Sequence, residues 1–180
     1  MNLFDTLTNA MAYLNSRRCP QLSWHSKRVS RYMRILATAV AASQGGLSAG
    51  DIDAVSRCAA LHDMGLLALA DSDLEKYKNV ELARTRGSGD PQAPVAAEIE
   101  FYTKHTVAGR DSLRVFMEEH PNNLYLTYTL EMVTHHHEWW NGKGAPDGLE
   151  GEAIPLSARM MAIVDNYDII TARRAYKFEY

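Results

Sequence analysis

Apolar residues in this chain recur every three or four positions and show no credible two-residue alternation, so the sequence points to a helical fold. Val29, Met33, Leu36 and Val40 advance by four, three and four, predicting an amphipathic helix from about Trp24 to Gln44, ended by Gly45-Gly46. Ser48, with Asp51 three residues on, has the pattern of a capping box whose acid is shorter than the usual Glu. It predicts a helix through Ile52, Val55 and Ala59 to Met64, terminated by Gly65, with His62 and Asp63 on the last turn. From Asn79 to Pro94 the period is lost and loop residues collect, so 79–97 at its widest reads as a surface insertion. Helical pattern resumes near Val95, carries His105 and runs to about Glu119. Pro121 separates it from a helix over Leu124–His137. There Leu126, Leu130, Val133 and His137 share a face, aiming His137 inward and His136 toward a neighbouring face. The loop Asn141 to Gly148 is glycine-rich but lacks the GK[ST] ending of a phosphate loop. Pro155 suits the start of a final helix with Leu156, Met160, Ile163 and Tyr167 packed on one side, and with Asp165 and Asp168 on a neighbouring face. The expected fold is all-α, a helical bundle forming a single domain over 1–180.

At 180 residues the chain can bury one sizeable core, and its net charge of -3 offers no general electrostatic grip on DNA or on a membrane. No apolar run approaches the roughly 20 residues that cross a bilayer. The N-terminus lacks the basic start and apolar core of a signal peptide. Cys19 and Cys58 stand outside any CxxC spacing, so reduced thiols and a cytoplasmic location are expected.

The chemistry lies in the histidines. Six of seven fall in four spaced clusters, His25, His62, His105 and His135-His136-His137, with carboxylates at Asp63 and Asp165 suited to complete a metal site. Each histidine alone is more simply a hydrogen-bonded core or surface residue. The full set of neutral imidazoles and carboxylates suits borderline divalent metals such as manganese, iron, zinc or nickel.

The clusters occur inside longer motifs. His25-Ser26-Lys27-Arg28-Val29, Ala59-Ala60-Leu61-His62-Asp63-Met64-Gly65, His105-Thr106-Val107-Ala108-Gly109 and His136-His137-Glu138 appear in that order. Asn141 to Leu149, Ile154-Pro155-Leu156 and Asp165-Asn166-Tyr167-Asp168 follow. Over about Gln21 to Lys177 this series resembles the HD-GYP family, bacterial metal-dependent phosphodiesterases that cleave cyclic dinucleotides, chiefly cyclic di-GMP. The resemblance implies an HD-domain-like bundle with two divalent transition metal ions, iron or manganese first, zinc or nickel next. It implies that His25, His62, Asp63 and Asp165 hold one metal, and that Asp63 bridges to a second held by His105, His136 and His137. Two carboxylates, two divalent ions and a bridging hydroxide leave about one positive charge to meet a phosphodiester. The hydroxide would attack phosphorus in line. His62, Asp63 and Asp168 are the expected catalytic residues, and Arg174 and Lys177 the expected phosphate-binding pair. Glu138 is expected to orient a ligating imidazole. His135 is left out of the site, His120 reads as surface, and Trp139 and Trp140 as core or loop anchors.

The sequence departs from the family's pattern at four places. The HDxGK lysine is Leu66, the GYP tyrosine is Ala145, a metal-ligating Glu of three-metal members is Gln21, and the spacer between His62 and His105 is long. Gln21 argues for two metals. Leu66 removes a cation near the reacting phosphate and is expected to leave Asp168 unpaired. Ala145 removes an aromatic from a loop expected to touch substrate or partner. Two readings therefore stand: a cyclic dinucleotide phosphodiesterase, or a catalytically inactive module that binds metal and either nucleotide or a signalling protein. A general nucleotide phosphohydrolase fits less well, because a one-metal site does not require His105, His136 and His137. Family members usually continue past the position of Tyr180, so either a trimmed form or a covering surface, such as a second copy in a homodimer, is expected.

Overall fold

The capping box at Ser48 is present in the structure, a computed structural model that describes residues 3–18, 24–76 and 93–171. The Ser48 side chain accepts from the backbone N–H of Asp51, and the Asp51 carboxylate accepts from Ser48 N at 2.8 Å. Among the described residues the secondary structure is helical: α1 Leu3–Arg18, α2 His25–Gln44, α3 Ala49–Cys58, α4 Ala93–Glu119, α5 Leu124–His135 and α6 Leu156–Thr171. A single antiparallel bridge, Asn141 to Glu150, closes the glycine-rich loop.

The all-α expectation holds, and the details correct several local ones. The helix that opens at Ser48 stops at Cys58 instead of Met64. Two 3₁₀ turns follow, Ala59–Leu61 and Met64–Ala68, and His62-Asp63 forms the break between them. Gly65 terminates nothing. It sits in the second 3₁₀ turn, where a Cβ would overlap the carbonyl oxygen of His105, so glycine is what allows α4 to come this close. Of the expected insertion, 79–92 lies outside the described residues, while 93–97 is already helix.

Helices α2, α3, α5 and α6 enclose the main core, built from Val29, Met33, Ala37, Val55, Cys58, Met132, Met160, Met161 and Val164. The face of α6 is rotated from expectation: Ile163 and Tyr167 are exposed, and Ser157, Met160, Met161, Val164, Asp165 and Asp168 are buried. A continuous inward stripe then includes both aspartates, so burying the helix brings two carboxylates into the core. Tyr125 and Tyr128 on α5 tie it to α3 by donating to Asp53 and Asp51 at 3.2 and 2.8 Å. A smaller apolar cluster, Leu66, Leu69, Leu74 and Phe101, joins the second 3₁₀ turn to α4. No described helix is long and apolar enough to cross a membrane.

Candidate metal centre

Four helices and the 3₁₀ break deliver the clustered histidines and two carboxylates to one place. His25 is the first residue of α2, His105 lies mid-α4, His136 caps α5, and Asp165 comes from α6. His25, His62 and Asp63 offer ligand atoms within 4.8 Å of one another, and so do Asp63, His105, His136 and His137. Asp165 Oδ1 completes the first group, 3.3 Å from His25 Nε2 and 3.8 Å from His62 Nε2. Asp63 belongs to both groups: Oδ2 is 3.3 Å from His62, and Oδ1 is 3.6 Å from both His105 and His136.

The far side of each ring reveals what the near side can do. His62 Nδ1 faces the Ala59 carbonyl at 2.8 Å, His105 Nδ1 the Phe101 carbonyl at 2.9 Å, and His136 Nδ1 the Met132 carbonyl at 2.7 Å. A carbonyl only accepts, so in each ring Nδ1 carries the proton and a neutral ring has its lone pair on Nε2. These lone pairs are aimed at one another: His25 and His62 Nε2 are 3.3 Å apart, His105 and His136 Nε2 3.4 Å. Two acceptors at that distance need a proton or a cation between them.

The electrostatics agree. Burial pushes His62 down, but Asp63, with help from Asp165 and the Ala59 carbonyl, more than reverses this and raises it to about 9. Burial drives His105 down to about 4 despite Asp63. Burial and the neighbouring His136 and His105 hold His137 well below the ordinary imidazole value. Against the cost of burial, His62, His136 and His105 keep Asp63 well below the usual carboxylate range. The cluster thus favours positive charge at His62 and disfavours it at His105 and His137. This donor set fits divalent ions that accept nitrogen and oxygen ligands.

Supporting contacts differ from those expected. His136, not His137, is the more deeply buried of the pair, because the inward face of α5 runs Thr129, Met132, Val133 and His136. His137 stacks on Tyr102, one turn before His105, with ring centroids 3.8 Å apart. Glu138 orients no ligating histidine. Its carboxylate accepts from the backbone N–H groups of Asp147 and Leu149 at 2.8 and 3.0 Å, clamping the glycine-rich loop. Gly144 approaches so closely that a Cβ would overlap the Trp139 nitrogen. Ala145 is buried and donates its N–H to the His137 carbonyl, so this position faces inward and offers no surface for a partner. His135 lies with Glu138 and Asp147, apart from the ligand cluster, and His120 is exposed. Trp139 and Trp140 are exposed and not core, the latter beneath Arg159.

Asp168 is not left unpaired. Burial works against its charge, but Arg28 and His25 hold it at about 2. Leu66 is 3 % exposed and packs in the small apolar cluster, so the counter-charge for Asp168 comes from α2. Arg28 and Asn15, whose amide donates to the Asp63 carbonyl at 3.1 Å, are the supports that sequence reading missed. Arg28 was open to discovery, three residues after His25 and therefore on the same helix face. Asn15 carries no such signal. Arg174, Lys177, Gln21 and Cys19 lie outside the described residues.

Comparison with known proteins gives a concordant picture. A family model described as HD domain matches residues 9–180. A probable cyclic di-GMP phosphodiesterase of Vibrio cholerae serotype O1 is 31% identical over 177 residues, covering 96% of this chain and 37% of that protein. The cyclic di-GMP phosphodiesterase response regulator RpfG of Xanthomonas campestris pv. campestris is 33% identical over 136 residues, 76% of this chain and 31% of its own. A 3'3'-cGAMP-specific phosphodiesterase 2 of Vibrio cholerae is 30% identical over 153 residues, 85% of this chain and 25% of its own. The chain spans about a third or less of the length of these relatives.

Proposed function

Because this chain belongs to the HD-GYP branch of the HD-domain family, we propose that it hydrolyses a cyclic dinucleotide, cyclic di-GMP or a close relative, with two divalent metal ions. The observation that carries this reading is the double ligand cluster hinged on Asp63. In this reading His25, His62, Asp63 and Asp165 hold one ion, and Asp63, His105, His136 and His137 the other. Iron or manganese comes first, zinc or nickel next. When bound, the ions would supply Lewis acidity toward the phosphodiester and make water acidic enough to serve as a nucleophile near neutral pH.

The protein's own part is placement and charge. Backbone carbonyls hold the Nδ1 protons of His62, His105 and His136, keeping their Nε2 atoms as acceptors. Asp63 and Asp165 contribute two negative charges, so two ions leave the centre positive toward an anionic substrate. Asp168 serves the reaction through His25. Arg174 and Lys177 are proposed to grip substrate phosphate, the arginine through its fork of donors and the lysine as a point charge. The linear dinucleotide is the expected product, with the mononucleotide following.

Leu66 favours a second reading, a module that binds metal and nucleotide or a protein partner without turnover, because an apolar side chain occupies the family's lysine position. Loss of one donor to the transition state costs about 10²–10³ in rate. Product chromatography decides between them. Protein loaded anaerobically with manganese or iron is incubated with cyclic di-GMP and with cyclic GMP-AMP, beside His62→Ala as control. Linear product that disappears in the variant supports hydrolysis. Full metal loading and nucleotide binding without product would move the assignment to the binding module.

A further inference from the structure

His25 and Arg28 leave the same face of α2 one turn apart, and both end on Asp168 of α6. Arg28 Nε donates to Asp168 Oδ1 at 2.6 Å and its Nη2 to Oδ2 at 2.8 Å, a two-pronged pair. Asp168 Oδ2 also lies 2.8 Å from His25 Nδ1. The other nitrogen of that ring, Nε2, is 3.3 Å from His62 Nε2 and 3.3 Å from Asp165 Oδ1, inside the first ligand group. His25 differs here from His62, His105 and His136, whose Nδ1 atoms meet backbone carbonyls. A carbonyl can only accept. A carboxylate on a side chain also accepts, but only where its own rotamer is held.

We propose that Arg28 is a positioning residue of the metal centre: its fork holds both Asp168 oxygens in place, so that Oδ2 accepts from His25 Nδ1 and the Nε2 lone pair is presented to the first metal. The carboxylate of Asp168 is 3% exposed, while the Arg28 side chain is 34% exposed and can bring its charge in from the solvent side. Without that fork, nothing else on α2 fixes both oxygens, and the Asp168 carboxylate can turn away from His25 Nδ1. The Nδ1 proton then has no fixed acceptor, the tautomer of the ring is no longer held, and a ring with its proton on Nε2 cannot ligate. Arginine suits the role because its fork fixes both carboxylate oxygens and stays charged. Leu66 is buried among Leu69, Leu74 and Phe101, so α2 supplies the cation that this position does not.

The inference rests on the reading that His25 is a metal ligand, so its test includes a measurement that needs no metal. Long-range ¹H–¹⁵N spectra of the metal-free full chain, with His25 assigned by comparison with His25→Gln, report which ring nitrogen is protonated. The expected result is Nδ1–H in the parent protein and Nε2–H, or a mixture, in Arg28→Met. Manganese titration should then show one of two sites weakened about 10- to 100-fold in Arg28→Met, the usual consequence of removing a ligand's orienting partner. The other site should be unchanged. Arg28→Lys, which restores a donor but not the fork, should recover part of the tautomer preference and part of the affinity. An Nε2–H in the parent overturns the proposal even if Arg28→Met does not fold. So does a folded Arg28→Met with the parent's tautomer and both affinities, which would make the pair a mere tie between α2 and α6. If the parent takes up no metal, the proposed function fails, while the tautomers of the parent and Arg28→Lys still decide whether Arg28 sets the ring.

Discussion

His105 and His136 are oriented by carbonyls four residues back in their own helical segments, whereas His25 is oriented by Asp168, 143 positions away in sequence and gripped by Arg28. The half of the centre on α4 and α5 is therefore partly built as soon as those helices form. The half on α2 and α6 exists only when the two helices dock and bury an ion pair. Local hydrogen bonds within a helix are insensitive to small shifts in packing, but a bond across two helices is lost when they separate. Asp63 joins the two, from a 3₁₀ break that an uninterrupted α-helix to Met64 would not have provided.

The most severe test of this division is Asp63→Ala, which removes the carboxylate that both halves share. Metal affinity should fall at both sites, by more than the roughly 10- to 100-fold typical of losing an orienting partner. Elemental analysis after gel filtration reads this directly, and hydrolysis should drop to that of the metal-free protein. Retention of both ions would disprove the bridge.

Less severe, and more informative about the asymmetry, are single-half variants. Asp165→Ala removes a proposed ligand contributed by α6, and His105→Ala one contributed by α4. Each should leave about one metal per chain, held by the untouched half, because a ligand set survives there. Equilibrium dialysis against manganese measures the stoichiometry. If Asp165→Ala empties both sites while His105→Ala empties one, the α2–α6 half is a prerequisite for the other and the halves are not independent.

The two halves were also unequally legible. Every ligand candidate in both was implied by the resemblance of the ordered motifs to a known family, and the structure brings all seven together. Their supports were harder to read. Burial of α6 was predicted through Ile163 and Tyr167, yet the helix turns to bury Asp165 and Asp168, because the chain accepts two carboxylates in the core once Arg28 and the imidazoles meet them. Periodicity treats a carboxylate as solvent-facing and cannot anticipate such pairing. The helix from Ser48 was predicted correctly at its cap, a local bond, and wrongly at its end: it gives way to 3₁₀ turns after Cys58, and Gly65 serves the close approach of α4 instead of a stop. Glu138 was read as a partner for histidine, but it satisfies loop N–H groups nine and eleven residues away, a use that no spacing rule marks.

That approach of α4 gives a milder prediction. In Gly65→Ala the new methyl group would overlap the His105 carbonyl, so the 3₁₀ turn and α4 must move apart. Overpacking of this kind costs about 1–3 kcal/mol. Because His62-Asp63 precedes Gly65 and His105 is the residue displaced, the Asp63–His105 separation of 3.6 Å should grow and the second site should weaken more than the first. Urea unfolding and metal titration on one preparation separate the two effects. Equal weakening at both sites would mean that the break moves as a unit with Asp63.

The smallest expected effect supplies the control for all of these. Ser48→Ala removes the capping side chain from the start of α3, an exposed bond with no contact to either half of the centre. A lost cap costs about 1 kcal/mol, which for a chain of this size lowers the melting temperature by about 2–4 °C. Metal affinity at both sites should stay at the parent value. Helix α3 leads into the turn that carries His62, so a loss of affinity here would show that the centre responds to stability anywhere along that segment. Affinity changes in the other variants could then no longer be assigned to one half. Unchanged affinity with a lower melting point would show that the ligand geometry is held by the bonds around it, and that the contrast between helix-held and pair-held imidazoles is a property of the site itself.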